Sequence, residues 1–380
     1  RSPAERERAV RVGYLVHDLN DAAVLRRARM LEIGGAHVTL AGFSREGSIR
    51  PAIAARTPLV MGQSHDAAFL QRAKLALSHA VFNADLARHF KDCDVIIARN
   101  LEQLAIASQV VGERPLVYEC LDIHRLLLGS SVAARAVQAI EGALLPKCDL
   151  LITSSPAIVR LYFQNRPLSA PIELVENKLL IDPEDPPPAT PAAMKANDGP
   201  ITIGWFGMLR CKRTLAFLED LVDASNGAIE VLIAGKPSTA ELPDLPQRVS
   251  QRAGITFHGP YTYTDLPELY GRCDFAWSID WFEEGLNSVW LLPNRLYEAI
   301  TFGSVPVALS EVEVGRWLDH RKVGLCVNDA EDAKAQLLSM SRKEVNALRA
   351  EIARIDPSLT TATQADCKAL VARIEEFLPR

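Results

Sequence analysis

The sequence predicts an α/β fold with two Rossmann-like domains whose parallel sheets face a central cleft. Three observations predict it. The chain has 380 residues, beyond the roughly 250–300 at which a single core stops growing. Short apolar runs rich in Val, Ile and Leu alternate with helical-period segments from end to end, and strands apolar on both faces belong to parallel sheets covered by helices. A proline-rich acidic stretch interrupts the alternation near the middle, after which the pattern restarts.

The elements follow in order. Residues 12–16, 37–41, 94–98, 116–119, 150–153 and 172–175 read as buried strands, with helices at 22–33, 67–90, 101–111 and 132–145. Pro183, Pro186, Pro187, Pro188, Pro191 and Pro200 then crowd residues 181–200. Proline neither continues a helix nor donates to a central ladder, so this stretch is the linker. Strands resume at 201–206, 230–234, 256–258, 275–278, 305–308 and 325–327, with helices at 215–223, 265–273, 294–302 and 314–319. Residues 332–378 read as helical apart from a break near Pro357. The expected division is a first domain over 1–180, a linker over 181–200 and a second domain over 201–355, with a C-terminal helix in 356–380 packing back on the first domain.

Composition bounds the function. A hydrophobic content of 48% with 23% charged residues suits a soluble globular chain. No run approaches the ~18 apolar residues of a membrane span. The charged start, Arg1 to Arg8, suggests no signal peptide, and seven cysteines scattered singly without a C-x-x-C pair read as reduced thiols. Both point to a cytoplasmic protein without a structural zinc site. A net charge of −5 argues against nucleic acid as a partner. Residues 1–175 carry 21 Lys/Arg against 17 Asp/Glu and residues 176–380 carry 21 against 30, so the first half is net basic and suited to meet something anionic. Residues 67–91 read as a basic-leaning helix with one apolar face. It is either an ordinary core-facing helix or an interfacial one, placing the protein peripherally on a membrane's inner face.

Ligands of open α/β sheets sit at the carboxyl ends of the strands, so the loops there carry the search. The first, His17-Asp18-Leu19-Asn20-Asp21, contains no glycine, which removes the main support for dinucleotide binding. A phosphate-binding P-loop is missing too: Gly235-Lys236 matches its end, but Glu230 stands where its first glycine is required. The stretch Gly207-Met208-Leu209-Arg210-Cys211-Lys212-Arg213 places three cations in four residues at the start of a helix. Glycine permits close backbone approach, a helix N-terminus favours anions, and Arg and Lys supply charge-assisted bonds to phosphate oxygens. Pro293 and Gly303 suit the two ends of another helix, on which Asn294 and Glu298 share one face beside Arg295. A carboxylate there can accept two sugar hydroxyls, or serve as a helix cap. In the first half, Tyr118-Glu119-Cys120-Leu121-Asp122-Ile123-His124 places two carboxylates and a histidine at a strand end facing the cleft. A transferase needing a base near an acceptor hydroxyl has Asp122, or His17 oriented by Asp18 or Asp122.

The run Pro293-Asn294-Arg295-Leu296-Tyr297-Glu298, followed by Gly303-Ser304-Val305-Pro306-Val307, resembles the nucleotide-sugar-binding helix of GT-B glycosyltransferases of the family 4-like group. Three further stretches match in order: Gly207 to Arg213, Ile233-Ala234-Gly235, and Phe257-His258-Gly259-Pro260 with Asp265 to Tyr270 and Cys273-Asp274. The resemblance covers residues 201–327 and extends over 12–177 only as a pattern. It implies a GT-B fold and a metal-independent hexosyltransferase without a separate cofactor. Arg210 with Lys212 or Arg213 would hold a diphosphate, Glu298 the ribose, and Asn294 and Arg295 the phosphates or sugar. Asp122, His17 and His124 would supply the acceptor side. The expected reaction moves a sugar from a nucleoside diphosphate, UDP-linked, to a glycan or lipid-linked acceptor in bacterial surface polysaccharide synthesis. One departure matters: many retaining members carry a glutamate where this chain has Trp290. That departure motivates the alternative, an inactive GT-B scaffold binding a nucleotide sugar or a partner protein.

Overall fold

A computed structural model describes residues 8–45, 48–63, 80–185 and 199–379. The chain divides at Glu176/Asn177 and again at Thr361/Ala362 into two compact units, the C-terminal segment joining the first.

In the first unit β1 (Arg11–Val16), β2 (His37–Ser44), β3 (Leu59–Gln63), β4 (Val95–Arg99), β5 (Leu116–Cys120), β6 (Leu150–Thr153) and β7 (Ile172–Leu174) form one sheet. Its order is β3-β2-β1-β4-β5-β6-β7, and every pairing is parallel. Val12, Tyr14, Leu15 and Val16 are all fully buried. Because alternate side chains leave opposite faces of a strand, both faces of β1 are covered. The helix Ala22–Ile33 starts where Asp21 accepts the Ala23 backbone N–H at 2.9 Å, an N-cap contact. The C-terminal helix Gln364–Glu375 packs on that helix so closely that a Cβ on Gly34 would fall 2.4 Å from the Cys367 carbonyl oxygen. The strand β3 has no sequence signature of its own, because Gly62 and Gln63 break its short apolar run.

The second unit contains β8 (Leu179–Leu180), β9 (Ile201–Leu209), β10 (Ile229–Pro237), β11 (Ile255–Gly259), β12 (Phe275–Trp277), β13 (Val305–Leu309) and β14 (Leu325–Val327). Six of these form a parallel sheet in the order β11-β10-β9-β12-β13-β14. Ile203, Trp205, Val231 and Ile233 feed one core, and Phe206, Leu232 and Ala234 feed a second, so this sheet too is buried on both faces. Asp274, just before β12, accepts from Thr202 N, Arg342 Nη1 and Arg349 Nη1 at 3.0, 2.7 and 3.1 Å. That buried carboxylate fastens the helix Arg342–Ile352 to the sheet.

Strand order reverses beside β1 in one sheet and beside β9 in the other. The crevices that bind ligands in such sheets therefore open at the carboxyl ends of β1 and β4, and of β9 and β12. No helix among the described residues is long and apolar enough to cross a membrane. Residues 67–79 of the helix expected at 67–91 lie outside the described residues, as do residues 1–7 and residues 186–198 of the expected linker. Residues just before the prolines already belong to the second unit: Asn177 Nδ2 donates to Leu292 O at 3.0 Å and Leu179 N to Thr360 O at 2.9 Å. All seven cysteines are free, and six of them are buried.

Candidate active site

The second unit assembles the cations. Gly207, expected in a loop, lies within β9 at φ +114°, in register with Gly235 of β10 at φ +142°. A Cβ on Gly235 would fall 1.9 Å from the Gly207 carbonyl oxygen, so glycine is what lets these two strands run on together past the rest of the sheet. Only Arg210 and Cys211 then separate β9 from the helix Lys212–Ala224, whose N-cap is the Cys211 thiol, accepting from Thr214 N at 3.4 Å.

Each cation of this turn is matched with an acid. Arg210 Nη2 lies 3.9 Å from Asp280 Oδ2, with its guanidinium 4.5 Å from the centre of the Phe282 ring. Arg213 donates to Glu284 Oε2 at 2.8 Å and sits 4.4 Å over the Trp281 ring. Lys212 Nζ lies 3.3 Å from Glu241 Oε2. The segment after β12 thus supplies both the aromatic shelves that orient the two arginines and the carboxylates that pair with them. Exposed pairs of this kind are worth only ~0–1 kcal/mol, so an incoming anion can displace the carboxylates at small cost.

The helix Asn294–Thr301 starts at the same edge of the sheet, since it connects the end of β12 to β13. Glu298 is half-buried and accepts from the Tyr270 hydroxyl at 2.9 Å. Burial pushes that phenol well above its ordinary value and Glu298 adds to the effect, so the tyrosine remains a donor and fixes the carboxylate. Asn294 is exposed on the first turn. Arg295, half-buried next to it, forms no ion pair among the described residues. Trp290, at the position of the missing glutamate, donates its indole N–H to Asn287 Oδ1 at 3.1 Å.

The first unit brings other groups together. His17, one residue past β1, has Nε2 3.5 Å from Asp21 Oδ2. Burial, the largest influence, holds its imidazole below the ordinary range; Asp21 opposes this, Arg99 and Arg45 reinforce it, and Asp122 opposes it. Asp18, expected as its orienting partner, is turned elsewhere, accepting from Asn20 N at 3.1 Å and facing Arg45 Nε at 3.8 Å. Asp122 stands exposed beyond β5. His124 lies beside it, and its Nδ1 caps the short helix Arg125–Leu128, accepting from Leu126 N at 3.2 Å. Glu119 departs from expectation: it does not face outward but is fully buried, accepting from Arg27 Nε at 2.6 Å and from the Tyr14 hydroxyl at 2.5 Å. A charge on the inward side of a central strand needs such partners, and Arg27 and Arg99 hold the carboxylate below its usual range against the opposing effect of burial. Asn100, after β4, has φ +74°, an uncommon conformation for a residue with a side chain.

Sequence reasoning missed Arg99 and Asp21, whose neighbourhood depends on β1 and β4 pairing, and the aromatic shelves Trp281 and Phe282. Among the described residues no group of three His, Cys, Asp or Glu side chains is arranged to hold a metal ion.

Two doubly wound parallel sheets, one in each compact unit, are the architecture of the GT-B fold. The chain is 42% identical over 373 residues to the succinoglycan biosynthesis protein ExoL of Rhizobium meliloti (strain 1021), covering 95% of this chain and 92% of that protein. It belongs to the ExoL family of GT-B-fold proteins. The structure of Anabaena HepE in complex with UDP and glucose matches at TM-score 0.68 and 14% identity, covering 97% of this chain and 100% of that one. Sucrose-phosphate synthase from Thermosynechococcus elongatus matches at TM-score 0.67 and 13% identity, covering 97% and 98%. No family model matches the chain.

Proposed function

We propose that this protein transfers a hexosyl group from a UDP-sugar to a glycan or lipid-linked acceptor during exopolysaccharide synthesis, without a metal ion. The observation that carries the donor reading is the pair of ring-stacked arginines, Arg210 and Arg213, beside a helix N-terminus at the β9 crevice. Similarity to a succinoglycan biosynthesis protein supports the polysaccharide role, and the UDP complex of HepE supports the nucleotide.

In the proposed step the acceptor oxygen bonds to the anomeric carbon of the donor sugar. The bond from that carbon to the diphosphate oxygen breaks, its electron pair leaving with the diphosphate, and the acceptor's proton passes to His17, with Asp122 nearby. Arg210, Lys212 and Arg213 neutralise the charge that grows on the leaving diphosphate, the part a metal plays elsewhere. Arg295 and Asn294 reach the phosphates or the sugar, while Glu298, held by Tyr270, accepts the ribose hydroxyls.

Thermal unfolding in EDTA with UDP, UDP-glucose, UDP-galactose, uridine and NADH tests the reading. A ligand at a hundredfold excess over its Kd stabilises by about 2.7 kcal/mol. UDP and at least one UDP-sugar should raise Tm more than uridine does. A rise with NADH alone, or with UDP only when a divalent ion is restored, would contradict the proposal.

A further inference from the structure

Beneath the end of β1 lies a buried polar cluster. Glu119 accepts from the Tyr14 hydroxyl, Arg27 Nε and Arg99 Nη1 at 2.5, 2.6 and 3.5 Å, and Arg99 Nη1 also donates to the Tyr14 oxygen at 3.1 Å. Stability alone does not call for it, because a well-packed apolar set of similar volume is commonly at least as stable as a buried ion cluster. Its outward end reaches the candidate base. Arg99 Nη2 lies 3.8 Å from Asp21 Oδ2, the same oxygen that is 3.5 Å from His17 Nε2. The other Asp21 oxygen is fixed by the helix it caps, accepting from Ala23 N at 2.9 Å. His17 Nδ1 is buried and has no hydrogen-bond partner among the described residues, so the polar neighbour of the ring lies at Nε2, on the Asp21 side.

We propose that Arg99 is a positioning residue: seated on Glu119 and Tyr14, it fixes the Asp21 carboxylate against His17 and so holds the imidazole in the orientation a base needs. The consequence for turnover rests on the reading of His17 as base; the positioning itself does not. The chemistry is a single proton transfer, in which the acceptor's O–H bond breaks and an N–H bond forms on the imidazole as the oxygen bonds to the sugar. Two acids and two cations face the imidazole: Asp21 from the helix start, Asp122 from beyond β5, Arg99 from β4 and Arg45 from beyond β2. Removing one member of that set moves the proton affinity in a direction its charge dictates.

The test is an NMR titration of the histidine ring signals in the full-length protein, His17 being assigned from His17→Gln, alongside the pH dependence of kcat. Asp21→Asn keeps the helix cap, since Asn caps as well as Asp. It should lower the His17 midpoint by about one pH unit, the worth of one charge at 3.5 Å in a water-like dielectric. Arg99→Met removes a repelling charge and so raises the midpoint by itself. In its background Asp21→Asn should shift the midpoint much less than in the parent protein, because the carboxylate is no longer held against the imidazole. An equal shift in both backgrounds would overturn the positioning. An unmoved midpoint in Asp21→Asn, a variant that should fold normally, overturns the proposal even where Arg99→Met fails to fold. A midpoint shift from Asp21→Asn that shrinks once Arg99 is removed, with parallel shifts of the acid limb of kcat, supports both positioning and base. The same shrinkage with an unmoved acid limb supports the positioning while contradicting His17 as the base.

Discussion

Replacing Arg210 by alanine perturbs the donor site where its chemistry is most specific. The side chain is 40% exposed, stacked on Phe282 and 3.9 Å from Asp280. Binding a diphosphate exchanges that loose pair, worth at most ~1 kcal/mol, for charge-assisted bonds worth ~1.5–3 kcal/mol. The net loss in Arg210→Ala is therefore about 1–2 kcal/mol, or roughly five- to thirtyfold in Kd. Isothermal titration with UDP and with uridine separates the causes, because uridine has no phosphate to lose. UDP should weaken by that factor while uridine is unchanged. Asp280→Asn should tighten UDP, since the competing carboxylate is gone. Equal losses for UDP and uridine, or an Asp280→Asn variant that binds UDP less well, would refute the diphosphate assignment.

Three further outcomes are expected. Glu298→Gln should weaken UDP several-fold more than it weakens the 2′,3′-dideoxyribose analogue, with an unchanged melting curve; a large fall in Tm with normal affinity would make Glu298 a structural partner of Tyr270. Asp122→Asn should lower kcat if the carboxylate assists the proton transfer, by up to the ~10²–10⁴-fold a positioned base contributes, while UDP affinity stays the same; near-normal turnover would leave His17 acting without it. Gly235→Ala should lower Tm by several degrees, because its Cβ meets the Gly207 carbonyl and its φ of +142° is unfavourable for alanine, whereas Gly207→Ala, whose Cβ enters open space, should cost less by differential scanning calorimetry.

Much of the architecture was legible because parallel strands buried on both faces leave long apolar runs. The strand at 150–153 and the helix at 22–33 read from sequence with the bounds they have in the structure. The ends of β9 and β10 were not, since Met208, Lys236 and Pro237 look like loop residues until Gly207 and Gly235 are seen in register. Local motifs revealed the cations of 210–213 and the Asn294–Glu298 face, where spacing along one helix is itself the geometry. Glu119 misled for the opposite reason: whether a charged residue at a strand end points inward depends on Arg27 and Arg99, distant in sequence. The pairing of His17 with Asp21 instead of Asp18 likewise depends on the cap of the following helix, which turns Asp21 back toward β1.

Sugar transfer from a nucleoside diphosphate donor must release UDP, and that release can be measured. The full-length protein would be incubated in EDTA with UDP-glucose, UDP-galactose or UDP-N-acetylglucosamine, each with and without an alkyl galactoside or alkyl glucoside acceptor. UDP should be released from at least one donor, faster with acceptor and more slowly in Arg210→Ala. Tight UDP binding with no release from any donor, with or without acceptor, would contradict it and leave a nucleotide-binding scaffold.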